Sequence, residues 1–270
     1  MQLKPFLKWA GGKRWLMERG ELSLPQTSGR YIEPFLGGAA AFFHFRPERA
    51  FLSDANARLI ETYQTIASDW SGVWELLNNH HKFHSIQYYY EERGKCYTDS
   101  KSRAAQFVYL NRTCWNGLYR ENLRGEFNVP IGTKSSVVFD HDDFEAVSQT
   151  LSNAEISCCD FSEAIELAES GDFLFIDPPY TTAHNFNGFV KYNQNIFSWD
   201  DQVRLRDSVL LAVQRGANVL ITNADHPSIY ALYASFSTIT RVERPSVISG
   251  KNGGRGKVTE AIIRAGHYGQ

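Results

Sequence analysis

Asp177-Pro178-Pro179-Tyr180 follows directly on the apolar run Phe173-Leu174-Phe175-Ile176. A carboxylate, two prolines and an aromatic ring thus leave what reads as a buried strand, and strand ends of open α/β sheets are where ligand crevices form. The prolines fix φ and donate no backbone hydrogen bond, so the stretch offers carbonyls and side chains instead. Asp177 and the Pro178 carbonyl could accept hydrogen bonds from an exocyclic amine, with Tyr180 stacked on the base that carries it. The chemistry would be that of a nucleobase amino group. A strand closed by a Pro-Pro turn with Asp at its head fits the same four residues equally well. The surrounding elements must decide.

Two further stretches could meet a ligand. Phe6-Leu7-Lys8-Trp9-Ala10-Gly11-Gly12-Lys13-Arg14 sets a Gly-Gly bend between an aromatic ring and a lysine, which permits close backbone approach and leaves Lys13 for a carboxylate. It also suits an ordinary turn. Tyr31-Ile32-Glu33 reads as a first strand, followed by Pro34-Phe35-Leu36-Gly37-Gly38 and an apolar helix. Strand, glycine bend and helix start put backbone amides at the carboxyl edge of a sheet. The next strand, Ala50-Phe51-Leu52-Ser53, ends at Asp54, where an acid typically takes ribose hydroxyls; the N-cap of a helix over 55–66 is an equally good local role. Bend and acid together favour an adenosine-containing cofactor. There is no clean G-x-G-x-x-G and no P-loop, so nicotinamide or flavin is poorly supported.

The elements that must hold these residues alternate in two regimes. In the first and last thirds, short apolar runs alternate with amphipathic segments, the pattern of parallel strands joined by helices. Further strands are expected at Glu155–Cys159, Asn218–Thr222, 235–243 and 258–264. A helix is expected over Asp200–Gln214 and another up to Glu169, opened by Asp160 and Glu163 as a capping box. The middle, 56–144, reads as a mostly helical insertion, with helices over 58–66 and 72–77. A hairpin or loop follows, with turn signals at Asn116-Gly117 and Arg124-Gly125.

With 270 residues, 43% hydrophobic and 21% charged, the chain is that of a globular protein with ample length for a core. No signal peptide or membrane span is expected. Cys96, Cys114, Cys158 and Cys159 show no zinc spacing, so no metal is expected and the setting is reducing. The net charge of −2 gives no global hint of nucleic acid. Residues 101–134 and 241–257 are nevertheless locally basic, which suits phosphates.

In this order, Phe6–Lys13, Tyr31–Phe43, Ser53–Leu59, Asn111–Gly132, Asp160-Phe161 and Asp177–Tyr180 resemble the Dam family of DNA adenine-N6 methyltransferases. The likeness extends over nearly the whole chain. It implies a Rossmann-like, S-adenosylmethionine-dependent methyltransferase sheet (residues 1–55 and 145–270) with an inserted, mostly helical target-recognition domain (56–144). It places Trp9, Lys13, Phe35, Gly37, Asp54, Asp160, Phe161 and Asp177 around the cofactor. Ala39 stands where relatives often carry glycine, which implies a slightly tighter bend.

The same resemblance implies that Asp177 and the Pro178 carbonyl accept from the amino group of a flipped adenine, that Tyr180 stacks on it, and that no cysteine acts as nucleophile. Residues 109–130 combine arginines, amides and aromatics, with Arg112, Asn122 and Arg124 among the candidates to touch DNA. By position, Trp115 matches an intercalating tyrosine and Asn116 neighbours the vacated base. Leu118 and Pro130 match thymine-methyl contacts, while Arg120 and Lys8 match guanine contacts; together these imply GATC. Lys251, Arg255 and Lys257, in a glycine-rich loop, would bind phosphate. The expected protein is a monomeric enzyme on double-stranded DNA, off the membrane, in the bacterial or phage-infected cytoplasm at the nucleoid. Relaxed specificity, an RNA target, or a catalytically silent DNA-binding regulator are the alternatives; intact Asp177, Tyr180 and Arg120 weigh against the last two.

Overall fold

The computed structural model describes residues 3–20, 22, 24, 29–122, 124–183, 197–245 and 257–267. Its strands are β1 (Tyr31–Glu33), β2 (Ala50–Asp54), β3 (Ala154–Cys158), β4 (Phe173–Ile176), β5 (Asn218–Ala224), β6 (Ser237–Pro245) and β7 (Lys257–Ala265). They form one seven-stranded sheet in the order β3-β2-β1-β4-β5-β7-β6. β1 with β4, β4 with β5, and β2 with β3 pair parallel, whereas β7 runs antiparallel to β5 and β6. This is the expected Rossmann-like mixed α/β sheet. The order turns back between β1 and β4, the position at which such sheets open a crevice at their carboxyl ends. The chain divides into two compact units, Met1–Ser23 with Leu36–Cys158, and Leu24–Phe35 with Cys159–Gln270.

The first unit joins β2 and β3 to α1 (Arg14–Glu18), α2 (Ala40–Phe45), α3 (Ala57–Phe83), α4 (Ile86–Gly94), α5 (Ser100–Thr113) and α6 (Phe144–Leu151); α3 packs on both strands and in turn carries α5 and α6. Asn56 caps α3 by accepting from the Leu59 amide at 3.0 Å. The element is two helices meeting at Asp69 (φ −149°, ψ 63°), whose carboxylate accepts from the Gly72 amide at 3.0 Å and so caps the second half. The two helices expected from the sequence meet at this break.

α5 is buried at every position from Ala104 to Thr113, polar residues included. Buried polar groups must find partners, and these do. Gln106 donates to the Glu92 and Lys95 carbonyls at 2.7 and 2.9 Å, and Thr113 to the Tyr109 carbonyl at 2.7 Å. Arg112 donates from Nε and Nη2 to the Phe6 carbonyl, from Nη1 to the Val137 carbonyl, and at 2.6 and 2.7 Å to both oxygens of Asp142. Neither partner of this ion pair is exposed beyond 3%.

In the second unit, all of β4 and residues Asn218 to Asn223 of β5 are buried, as befits parallel strands covered on both faces. Around them stand α7 (Phe161–Glu166), α8 (Trp199–Gln214) and α9 (Pro227–Tyr233). The capping box of Asp160 and Glu163 forms at the start of α7. That helix stops at Glu166, short of the expected Glu169. The Glu169 amide instead donates at 3.0 Å to the buried Asp172 carboxylate, which turns the chain into β4.

Removing one partner of a buried ion pair strands the other charge. Arg112→Leu should therefore lower unfolding free energy by about 3–5 kcal/mol in urea titration, and Asp142→Leu in the same chain should recover part of the loss. A near-neutral Arg112→Leu would contradict this account of α5.

Candidate active site

The first unit holds one group of the expected cofactor residues together. Gly37 adopts φ +46°, which a residue with a side chain rarely does. A Cβ there would lie 2.7 Å from Cδ1 of Trp9, so the indole is packed on the glycine itself. The Gly37 amide donates to Asp54 at 3.0 Å, and its carbonyl accepts from the Tyr63 hydroxyl at 3.0 Å. Asp54 also accepts from the Asn56 amide at 3.0 Å. The acid therefore ties the end of β2 to the bend, while Asn56 does the helix capping. Burial raises the Asp54 carboxyl above its ordinary pKa, against the pull of the backbone amides of Gly37, Asn56 and Ala55. Ala39 is left-handed as well (φ 54°). The Lys13 ammonium is buried and donates to the Gly11 carbonyl at 2.6 Å.

The second unit holds the rest. Phe35, just beyond β1, stacks on Phe161 at 5.3 Å and 22°, and Phe197 meets both edge-on. Asp160 pairs with Arg204 at 2.7 Å, and that guanidinium lies 4.3 Å from the Phe161 ring centre. Burial would raise the Asp160 carboxyl, but its bonds from Arg204 and Ser162 bring it below its usual value. The Asp177–Tyr180 loop leaves β4 with side chains fastening it. Thr222 on β5 donates to Asp177 at 2.6 Å, and Tyr180 donates to Glu260 on β7 at 2.9 Å. Gln202 on α8 reaches the Pro179 carbonyl at 3.4 Å, and Thr181 donates to the Phe197 carbonyl at 2.7 Å. Burial first, then the carboxylates of Asp177 and Glu260, push the Tyr180 phenol well above its ordinary value, so it stays a donor. Sequence reasoning missed Thr222, Glu260 and Gln202.

Residues 113–132 fold back on themselves. Trp115 and Gly132 amides donate to the Pro130 and Thr113 carbonyls, and the Asn128 amide donates to the Arg120 carbonyl. Both turn signals are used: Asn116, Gly117 and Gly125 all have positive φ. Trp115 is 52% exposed; Asn116, Arg124 and Pro130 are exposed, and Leu118, Arg120 and Asn122 half-buried. Arg120 donates from Nε to the Asn128 side chain at 2.7 Å. The Asn122 side chain accepts from the Arg124 and Glu126 amides and so shapes the second turn. Lys8 donates from Nζ to the Arg112 carbonyl at 2.8 Å, and burial lowers its pKa. Asn111, also missed, clamps the Lys8 backbone on both sides, accepting from its amide (2.8 Å) and donating to its carbonyl (2.7 Å). Arg112 corrects the expectation of a DNA contact: its guanidinium is wholly enclosed and committed to Asp142, Phe6 and Val137. Lys251 and Arg255 lie outside the described residues. Burial pushes the Cys114 thiol up to about 11.

The sheet is of the Rossmann-like class, with a glycine bend after β1 and the Asp-Pro-Pro-Tyr loop at the end of β4. Residues 9–247 match the family model for D12 class N6 adenine-specific DNA methyltransferases. The chain is 36% identical over 272 residues to the type II methyltransferase M1.LlaDCHI of Lactococcus lactis subsp. cremoris, covering 97% of this chain and 95% of that one. It is 31% identical over 264 residues to the DNA adenine methylase of Escherichia coli K12, covering 96% and 94% respectively. The chain belongs to the D12 class of N6 adenine-specific DNA methyltransferases. Among the described residues, no helix is long and apolar enough to cross a membrane.

A carboxyl whose folded pKa is raised binds its proton more tightly folded than unfolded, so it lowers stability as pH rises through the ordinary carboxylate range and beyond. The difference in melting temperature between Asp54→Asn and wild type should thus move in the variant's favour from about pH 4 to about pH 7. A difference that stays constant, or moves the other way, would show that Asp54 is not held against its charge.

Proposed function

We propose that this enzyme transfers the methyl group of S-adenosylmethionine to N6 of an adenine flipped out of a GATC duplex. The observation that carries the reading is the Asp177-Pro178-Pro179-Tyr180 loop, fixed at the end of β4 by Thr222 and Glu260. Adenine N6 is a poor nucleophile because its lone pair is delocalised into the ring. Hydrogen bonds from the amino group to the Asp177 carboxylate and the Pro178 carbonyl draw the nitrogen toward tetrahedral geometry and aim its lone pair. Tyr180 holds the base by stacking. Orientation and electrostatics do the work, and unstacking the base requires a few kcal/mol.

S-adenosylmethionine supplies an electrophilic methyl group when bound. The residues suit it: Asp54 is an acid at a strand end for ribose hydroxyls, and the Phe35–Phe161 stack offers an aromatic surface for adenine. Trp9, Lys13, Gly37, Asp160 and Asp177 complete the assignment. We assign residues 1–55 and 145–270 to catalysis and 56–144 to target recognition. Within the latter, Trp115 is the wedge and Asn116 accompanies it into the vacated position. Arg120, braced by Asn128, reads guanine. Leu118 and Pro130 meet thymine methyls, Lys8 takes the second guanine, and Asn122, Arg124, Lys251 and Arg255 take backbone contacts. The enzyme works as a monomer on cytoplasmic, nucleoid DNA.

The test is labelled methyl transfer to a GATC duplex, a scrambled duplex and an RNA, with incorporation expected in the first alone. Asp177→Ala should abolish transfer while DNA is still bound. Arg120→Ala should lose about 1–3 kcal/mol of discrimination at one guanine position. Equal incorporation into the scrambled duplex would refute GATC, and retained turnover in Asp177→Ala would refute the role of the loop.

A further inference from the structure

We propose that Thr222 and Glu260 are positioning residues for methyl transfer, the first fixing the carboxylate of Asp177 and the second the ring of Tyr180. The inference rests on the roles given to Asp177 and Tyr180 above. In the antiparallel register of β5 and β7, Thr222 lies opposite Ile262 and Ala224 opposite Glu260. Residues two apart on a strand share a face, and so do cross-strand partners. Thr222 and Glu260 therefore project from one face of the sheet, one diagonal step apart. The small side chain of Ala224 leaves room beside Glu260.

Both are buried, at 0% and 4% exposure. A carboxylate in a sheet interior is unfavourable unless bonded, and an apolar residue would fill that position more simply. Glu260 accepts there from the Tyr180 phenol at 2.9 Å. Thr222 has a single proton to give; its hydroxyl lies 2.6 Å from Oδ1 of Asp177 and is also hydrogen-bonded with the Tyr180 phenol. These bonds run to the two side chains that meet the base. A bond on one carboxylate oxygen sets the plane of the group, and hence the direction of its other oxygen. A tether on the phenol removes the swing of a ring that stands on a loop.

Misplacement of about an ångström costs up to ~100-fold in rate, even when binding is intact. Thr222→Val keeps the shape and removes the hydroxyl. Its kcat on a GATC duplex should fall by roughly tenfold to a hundredfold, with KM for duplex and for S-adenosylmethionine within about threefold of wild type. Thr222→Ser, which restores the donor, should bring kcat back to within about threefold of wild type. Glu260→Ala and Tyr180→Phe should each lower kcat, and the double variant should match the slower single one, because both remove the same tether. Glu260→Gln, which retains an acceptor, should exceed Glu260→Ala. Melting temperatures identify any variant whose loss is one of folding, and there the Ser and Gln variants decide. An unchanged kcat in Thr222→Val, or losses that multiply in the double variant, would overturn the proposal. A wild-type enzyme that fails on the duplex, or an active Asp177→Ala, would take down the reading of the loop as well.

Discussion

Two successive prolines at the end of β4 deprive the loop of the backbone donors by which a turn is ordinarily fastened, and this constraint shapes the second unit. The fastening passes to side chains from three separate elements: Thr222 on β5, Glu260 on β7 and Gln202 on α8. Each of these must reach the strand's carboxyl end from a buried position, so the core there contains polar groups where apolar ones would pack more simply. Asn223 continues the chain of contacts, donating to Gln202 at 3.2 Å. A polar group buried in this way is favourable only while its partner stays in place. The loop and its supports consequently stand or fall together.

The first unit solves a similar problem with one carboxylate. The bend at Gly37 must keep a left-handed backbone under the Trp9 indole, and Asp54 secures it by taking the Gly37 amide while Tyr63 takes the carbonyl. Bonding the amides offsets only part of the desolvation, which is why the carboxyl remains raised.

Local features were legible in the sequence. The strands, the capping box at Asp160, the break between two helices near Asp69 and the turns at Asn116-Gly117 and Arg124-Gly125 depend on near neighbours, and the residue types announce them. Asp54 was ambiguous, since capping and cofactor roles are alike in sequence; the adjoining Asn56 resolved the local half of the question. The supports were invisible because they act across long separations: Thr222 meets Asp177 45 residues away, and Glu260 meets Tyr180 80 residues away. Arg112 misled for the complementary reason. An arginine in a basic, aromatic-rich stretch resembles a nucleic-acid contact, and only the arrival of Asp142 and the Phe6 carbonyl shows that it belongs to the core.

The long-range bonds of α5 also explain why the N-terminal motif and the hairpin form a single mechanical body within the first unit. Asn111 clamps both backbone groups of Lys8, Arg112 holds the carbonyl of Phe6, and Gly117 is packed so closely that a Cβ would lie 2.6 Å from Cβ of Lys8. One residue on, Trp9 stacks on Tyr119 of the hairpin at 5.9 Å and 23°. The same indole covers Gly37. A displacement of the hairpin must therefore be shared by Trp9 and felt at the glycine bend, because close-packed interiors transmit strain. The hairpin, Trp9 and the glycine bend are thus linked by packing within the first unit.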